Sequence, residues 1–260
     1  MDFSELSREI KKIPPVTRFL CGGSLALTLP VMLKVLNSSK IIFWWPYITN
    51  GFEIWRIPTS FLFGSTGLNY LFDLVMLYRN SDALESGPFH RASQNYAWQL
   101  FLACAAILAV EFPLGAFTHL RPLLVCITYV TSALAPAGSE TSFFGLVTFP
   151  IKYMPYVMVL MDFIMAGPAA AAQAVGGALV GHVWWWGVFG RMGGGRTGLL
   201  APYGVAPNWV KNFVSSGAPQ AAGGSGSSGG GSGTATGSAT GRQEQEAPAH
   251  RWGSGNRLGT

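Results

Sequence analysis

Charge is scarce in this chain. Only 11% of its 260 residues are Asp, Glu, Lys or Arg, and 49% are hydrophobic. An average soluble domain carries about 25% charged residues. The apolar residues come in blocks, so too little charge is left to cover a water-exposed surface of this size. Cysteine is scarce too. Cys21, Cys104 and Cys126 lie inside apolar blocks, and no two form a CxxC pair. They read as small buried side chains, which excludes a disulfide framework and a structural zinc site. No metal or other cofactor is expected. The net charge is +5, but no basic patch interleaves with aromatics, so nucleic acid is not an expected partner. A cleavable leader is not evident either. The first apolar block follows a charged, helix-like start without a small-residue cleavage site, and it is expected to stay as a span.

The blocks that are present define the organisation. In residues 2–13, Phe3, Leu6, Ile10 and Ile13 recur at helical spacing, while Ser7, Arg8, Lys11 and Lys12 fall elsewhere, and Pro14-Pro15 follow. This is a short amphipathic helix suited to lie on a membrane surface. Six apolar blocks follow, near 17–36, 66–84, 96–116, 121–136, 152–167 and 169–190. The fourth is bracketed by Arg121 and Pro136 and the fifth by Lys152 and Gly167, leaving 14 residues in each. That is short of the roughly 20 needed to cross a bilayer. With six spans and a cytoplasmic N-terminus, 13 of the Lys and Arg residues fall on the cytoplasmic side and four on the other: Lys34, Lys40, Arg56 and Arg121. This is a strong positive-inside bias, and both termini are then cytoplasmic.

The segments between and after the blocks are distinctive. The first loop, 37–65, is crowded with aromatics, among them Phe43, Trp44, Trp45, Tyr47 and Trp55. Such a loop belongs in the interfacial zone of a membrane. Trp209, Val210 and Phe213 suggest a brief surface-bound helix. Residues 221–241 are only Ala, Gly, Ser and Thr, a composition that cannot bury a core. The linker 214–249 has a root-mean-square reach of about 33 Å as a flexible coil. Residues 250–260 then carry an isolated Trp252 and Leu258, which read as a linear binding motif.

Three motifs occur in order along the chain. Trp55-Arg56-Ile57-Pro58 lies in the first loop and, by itself, reads as an interfacial Trp with a snorkelling Arg. Gly177-Ala-Leu-Val-Gly181 is a GxxxG in the last block, a spacing that lets two helices approach closely. Trp252-Gly253-Ser-Gly255-Asn-Arg257-Leu258-Gly259 lies within the last segment, 250–260. The first two are similar to the WR and GxxxG motifs of the rhomboid superfamily. The third resembles the SHP box, and Asn69 to Tyr78 with Leu84-Glu85 resembles the second rhomboid helix. Together they resemble the Derlin family, over most of residues 1–213 plus 250–260.

That resemblance implies an all-α membrane protein. It has six transmembrane helices in a rhomboid-like fold, an N-terminal amphipathic helix and a disordered C-terminal tail. It implies an endoplasmic-reticulum membrane protein of ER-associated degradation that handles misfolded membrane or lumenal proteins for retrotranslocation. Trp55, Arg56, Asn69 and Asp73 would handle substrate and membrane, and Gly177 and Gly181 would pack helices. Trp252, Gly253, Gly255, Arg257, Leu258 and Gly259 would bind a valosin-containing-protein-type AAA ATPase. An ubiquitin-ligase complex and further copies of the chain are the other implied partners. Short fourth and fifth spans would thin the bilayer, and a cavity between helices would offer polar surface to a client. An alternative role is a recruitment platform with no client pathway of its own.

The same fold hosts serine proteases, which need a Ser nucleophile in GxSG and a His base. The His of rhomboids lies three residues before the GxxxG. Here that residue is Ala174, and no GxSG occurs in the membrane domain. Gly138-Ser139-Glu140 has the wrong pattern, and His182 lies eight residues past Ala174. A pseudoprotease is therefore expected, against the remote alternative of an active rhomboid protease. Among the acids inside apolar blocks, Asp73 and Asp162 stand out. Intramembrane acids are functional candidates by default, unless they pair with a hydroxyl, an amide or an Arg.

Overall fold

The computed structural model describes residues 3–65, 67–143, 147–190 and 198–217. The SHP-like motif at 250–260 and nearly all of the linker at 214–249 lie outside them.

Proline and glycine punctuate a helical chain. α1 runs Phe3–Lys12, and α2, Pro15–Met32, has Pro15 at its first position, where a missing N–H costs nothing. The aromatic loop has helical structure of its own. It folds two short helices, α3 (Trp45–Gly51) and α4 (Arg56–Leu62). α5 (Leu68–Ser86), α6 (Ser93–Glu111) and α7 (Leu120–Leu134) follow. A hairpin departs from the all-α expectation: β1 (Glu140–Phe143) pairs antiparallel with β2 (Val147–Pro150), between the fourth and fifth blocks. α8 (Met154–Ala166) and α9 (Pro168–Trp184) complete the bundle, and Gly167 at φ 86° makes the turn between them. α9 continues into a π-turn at Trp185–Phe189, and α10 spans Asn208–Gly217.

The bundle is centred on α7. Ten of its fifteen residues are buried, and α5, α6, α8 and α9 all pack against it. A helix with apolar residues around most of its circumference has to be enclosed in this way. Tyr96, Phe89, Leu77, Leu84, Ile107, Leu123, Leu124 and Ile127 form the fully buried centre. The outward faces are also apolar. Phe19 and Leu29 on α2, Phe101 on α6, Phe163, Ile164 and Met165 on α8, and Leu179 and Val183 on α9 are exposed. Patches of that kind mark contact with lipid or protein. Among the described residues, two helical stretches, Pro15–Met32 and Ser93–Leu114, are long and apolar enough to cross a membrane.

Polar ties join the helices where packing alone would leave backbone groups open. Glu85, buried near the C-terminal end of α5, accepts the N–H groups of Val16 (3.1 Å) and Thr17 (2.8 Å) and the Thr17 hydroxyl (2.9 Å). A carboxylate there satisfies orphan donors and faces the positive end of the α2 dipole. α10 packs on α6, rather than resting only on a membrane surface. Trp98 meets Trp209 edge-on at 5.9 Å, and Trp98 donates to Tyr203 O and Gln99 to Gly204 O.

Candidate functional site

Gly177 and Gly181, the GxxxG pair, lie on α9 against the backbone of α7. A Cβ on Gly177 would lie 2.2 Å from the Pro122 carbonyl oxygen. One on Gly181 would lie 2.8 Å from the carbonyl of Cys126, one turn further along α7. Backbone meets backbone at both points, so no side chain can yield. Ala174 is fully buried on the same helix.

Close packing of α7 and α9 leaves a gap on the other flank. A cavity of about 830 Å³ opens there, lined by α5, the start of α7, α8 and the start of α9. Its lining combines apolar Met158, Met161 and Met165 with Asp162 on the same helix α8, and with Ser65, Asn69, Asp73, Arg79, Arg121 and Gln173 from the neighbouring segments. The two acids singled out from sequence share one partner. Arg121, counted from sequence only as a flanking charge, stands on the second position of α7 between them. Its Nη1 pairs with Asp73 Oδ1. Its Nε and Nη2 pair with Asp162 Oδ1 at 2.8 and 2.6 Å. Ser65 donates to Asp73 Oδ2 at 3.1 Å. Both acids are buried, so α5, α7 and α8 meet at one ionic bridge.

The four residues expected to handle substrate therefore separate. Asn69 and Asp73 line the cavity; Trp55 and Arg56 do not. Trp55 is exposed, but Arg56 does not snorkel. It is 4% exposed, pairs with Glu53 and donates to the carbonyls of Ser39 (2.6 Å) and Ile42 (3.0 Å). Its guanidinium lies 4.9 Å from the Tyr47 ring centre. Arg56 fastens the aromatic loop onto α4, which is reason enough for a charge at that position.

A second polar cluster escapes the sequence reading, although Glu111 lies within the 96–116 block. His119, Ser60 and Glu111 come together from the α7 entry, α4 and the end of α6. His119 Nδ1 is 3.0 Å from Ser60 Oγ, and Nε2 is 3.6 Å from Glu111 Oε2. The trio has the composition of a hydrolase triad but not its wiring. The Ser60 hydroxyl donates to the Ile57 carbonyl at 2.8 Å. Its single proton is thus committed, and Nδ1 must donate to Ser60 rather than accept from it. A ring nitrogen that carries the proton cannot act as base. All three residues are at most 1% exposed, and the rings of Phe43 and Phe61 each lie 5.1 Å from His119. Burial lowers the His119 pKa to about 4, so the ring is neutral at physiological pH. This cluster holds the aromatic loop to the bundle. Among the described residues, no group of three or more His, Cys, Asp or Glu is placed to hold a metal ion.

Comparison with known proteins identifies the family. Residues 13–203 match the family model described as the Der1-like family. The chain is 27% identical to Derlin-1 of Homo sapiens over 265 aligned positions, covering 98% of this chain and 99% of the relative. It is 26% identical to Derlin-1.2 of Zea mays, over 79% of this chain and 83% of the relative. A derlin-like protein of Schizosaccharomyces pombe is 27% identical over 63% of this chain and 75% of its own length. With the match running from the entry of α2 to beyond α9, this chain belongs to the Der1-like family.

Proposed function

We propose that this chain is a non-catalytic membrane protein of ER-associated degradation, whose cavity between α5 and α8 receives misfolded proteins. The observation that carries the reading is the cavity: polar groups sheltered beside a methionine wall, in a bundle whose outward faces are apolar. Moving a polar segment through hydrocarbon costs several kcal/mol per unsatisfied backbone group. A sheltered polar wall lowers that cost. Family membership supports the same reading, as does Ala174 at the position of the rhomboid base.

In this reading α2, α5, α6, α7, α8 and α9 are six spans with both termini cytoplasmic, which the distribution of Lys and Arg supports. α8, at 13 residues, rises only about 20 Å, against a hydrocarbon core of about 30 Å. Its exposed Phe163 and Ile164 face outward, so the mismatch is passed to lipid and thins the bilayer beside the cavity. α7 is also short, but it is enclosed by other helices, so α8 carries the effect. The tail supplies the other half of the role. Residues 250–260 recruit a valosin-containing-protein-type AAA ATPase, and tethering it to the membrane domain raises its local concentration. The alignment with human Derlin-1 extends over 98% of this chain and so includes tail residues.

Two variants separate this function from a recruitment platform. Filling the cavity with Met161→Trp should stop degradation of a misfolded membrane client while the ATPase still co-purifies. Trp252→Ala with Leu258→Ala should abolish co-purification. Normal client turnover in the cavity-filled protein would leave only the platform role.

A further inference from the structure

The ionic bridge at the cavity does not balance. Two carboxylates, Asp73 and Asp162, share the single guanidinium of Arg121. Arg121 reaches only Oδ1 of Asp162. Oδ2 of the same carboxylate is buried and has no hydrogen-bond partner, although the residue lines the cavity and its side chain is 9% exposed. A buried carboxylate oxygen is expensive to leave unmatched. Arg79 also lines the cavity. It is exposed and lies six residues, or about 9 Å of helix, from Asp73 along α5, so it leaves the local excess of negative charge in place. The remaining polar lining groups, Asn69, Thr118 and Gln173, are neutral.

We propose that this excess carboxylate is a docking site for a cation carried by a client: the Lys or Arg side chain of an apolar, membrane-spanning helix. The inference rests on the client-receiving role above and names the class of client that the cavity selects. Three observations favour this occupant. The unmatched oxygen calls for a donor with a positive charge. Met158, Met161 and Met165 line the same cavity beside Asp162 on α8, flexible side chains that pack against irregular apolar surfaces. Asp73 is the sixth residue of α5, and so lies about 8 Å inside the helix end, a depth suited to a side chain borne on a spanning helix. A lone Lys or Arg is costly at that depth. A helix that should have been assembled with a partner exposes such a residue, and the cavity offers it a counter-charge.

The test uses the full chain in phosphatidylcholine vesicles. The probes are single-span apolar peptides with a photoreactive group beside one variable position, placed about 8 Å inside the helix end. Lys, Leu and Glu probes are compared by crosslink yield. Lys should label about tenfold more than Leu, and Glu less than Leu. Asp162→Asn removes the excess charge yet leaves Asp73 to pair Arg121, so it should bring Lys down to the Leu level. Asp162→Glu should retain the preference. Unchanged Leu labelling in Asp162→Asn would show that the cavity still forms. Equal labelling by Lys and Leu in the unaltered chain overturns the inference but not client entry. A Lys preference that survives Asp162→Asn also overturns it. Loss of the preference on adding phosphatidylethanolamine would assign the site to a lipid amine instead. Absence of labelling by every probe would overturn the receiving cavity itself.

Discussion

Gly177→Ala adds one carbon, and the structure gives that carbon no room. It would lie 2.2 Å from the Pro122 carbonyl oxygen and 2.8 Å from the Pro122 carbonyl carbon. Ordinary contact requires about 3.4 Å, so α9 must retreat from α7 by about 1 Å. A gap of 0.5–1 Å forfeits a quarter to a half of the dispersion energy of the facing atoms, and core overpacking costs about 1–3 kcal/mol. The clash is with backbone, so the upper part of that range applies, about 2–3 kcal/mol. The expected fall in Tm is roughly 4–12 °C for a protein of this size. Gly22→Ala is the internal control. Its Cβ meets nothing within 4 Å, and helix propensity favours alanine there by up to about 1 kcal/mol. The assay is thermal unfolding of the purified protein in detergent, followed by tryptophan fluorescence. Maleimide labelling of Cys126, in a chain with Cys21 and Cys104 changed to serine, reports on the same interface. Cys126 is fully buried beside Gly181 and should become reactive in Gly177→Ala. A Gly177→Ala protein with unchanged Tm and a protected Cys126 would refute the close approach of α7 and α9.

Other variants test the polar ties. Arg121→Leu strands two buried acids and should cost about 3–5 kcal/mol; Asp73→Asn with Arg121→Leu and Asp162→Asn should restore most of the loss, read as Tm in detergent. Glu85→Ala leaves the Val16 and Thr17 N–H groups without their acceptor and should cost about 2–3 kcal/mol, with faster hydrogen exchange confined to the first turn of α2. His119 titrates at a folded pKa of about 4, below the usual 6.5. Its contribution is complete above pH 6.5 and is lost as pH falls toward 4, because the unfolded chain then binds the extra proton. At pH 5 the loss is on the order of 2 kcal/mol, and a pH series of Tm should fall less steeply in His119→Gln.

Much of the bundle was readable in one dimension. The block at 121–136 became Leu120–Leu134 and the block at 152–167 became Met154–Ala166, because Arg121, Lys152 and Gly167 punctuate them. The GxxxG pair was visible in the same way, since its spacing is a property of one helix. The α3 and α4 helices were masked by aromatic residues that satisfied the pattern of an interfacial loop equally well. The hairpin was missed because four-residue strands are too short to show alternation. The cavity's chemistry was only half legible. Asp73 and Asp162 stood out as acids in apolar blocks, but Arg121 looked like a flanking charge at the edge of a block. Only folding brings positions 48 and 41 residues away to one guanidinium. Arg56 illustrates the reverse. Its motif was noticed, yet its sequence context suited a side chain reaching outward, whereas the folded loop turns it toward the Ser39 and Ile42 carbonyls.

The central claim is that clients enter between α5 and α8. The direct measurement is site-specific photocrosslinking in native membranes, with the reactive residue at Met161 inside the cavity or at Phe101 on the outward face of α6. The two proteins are compared while a misfolded membrane protein is being degraded. The account predicts client adducts at Met161 that accumulate when the ATPase is inhibited, and few at Phe101. Adducts at Phe101 alone, with degradation still dependent on this chain, would contradict it.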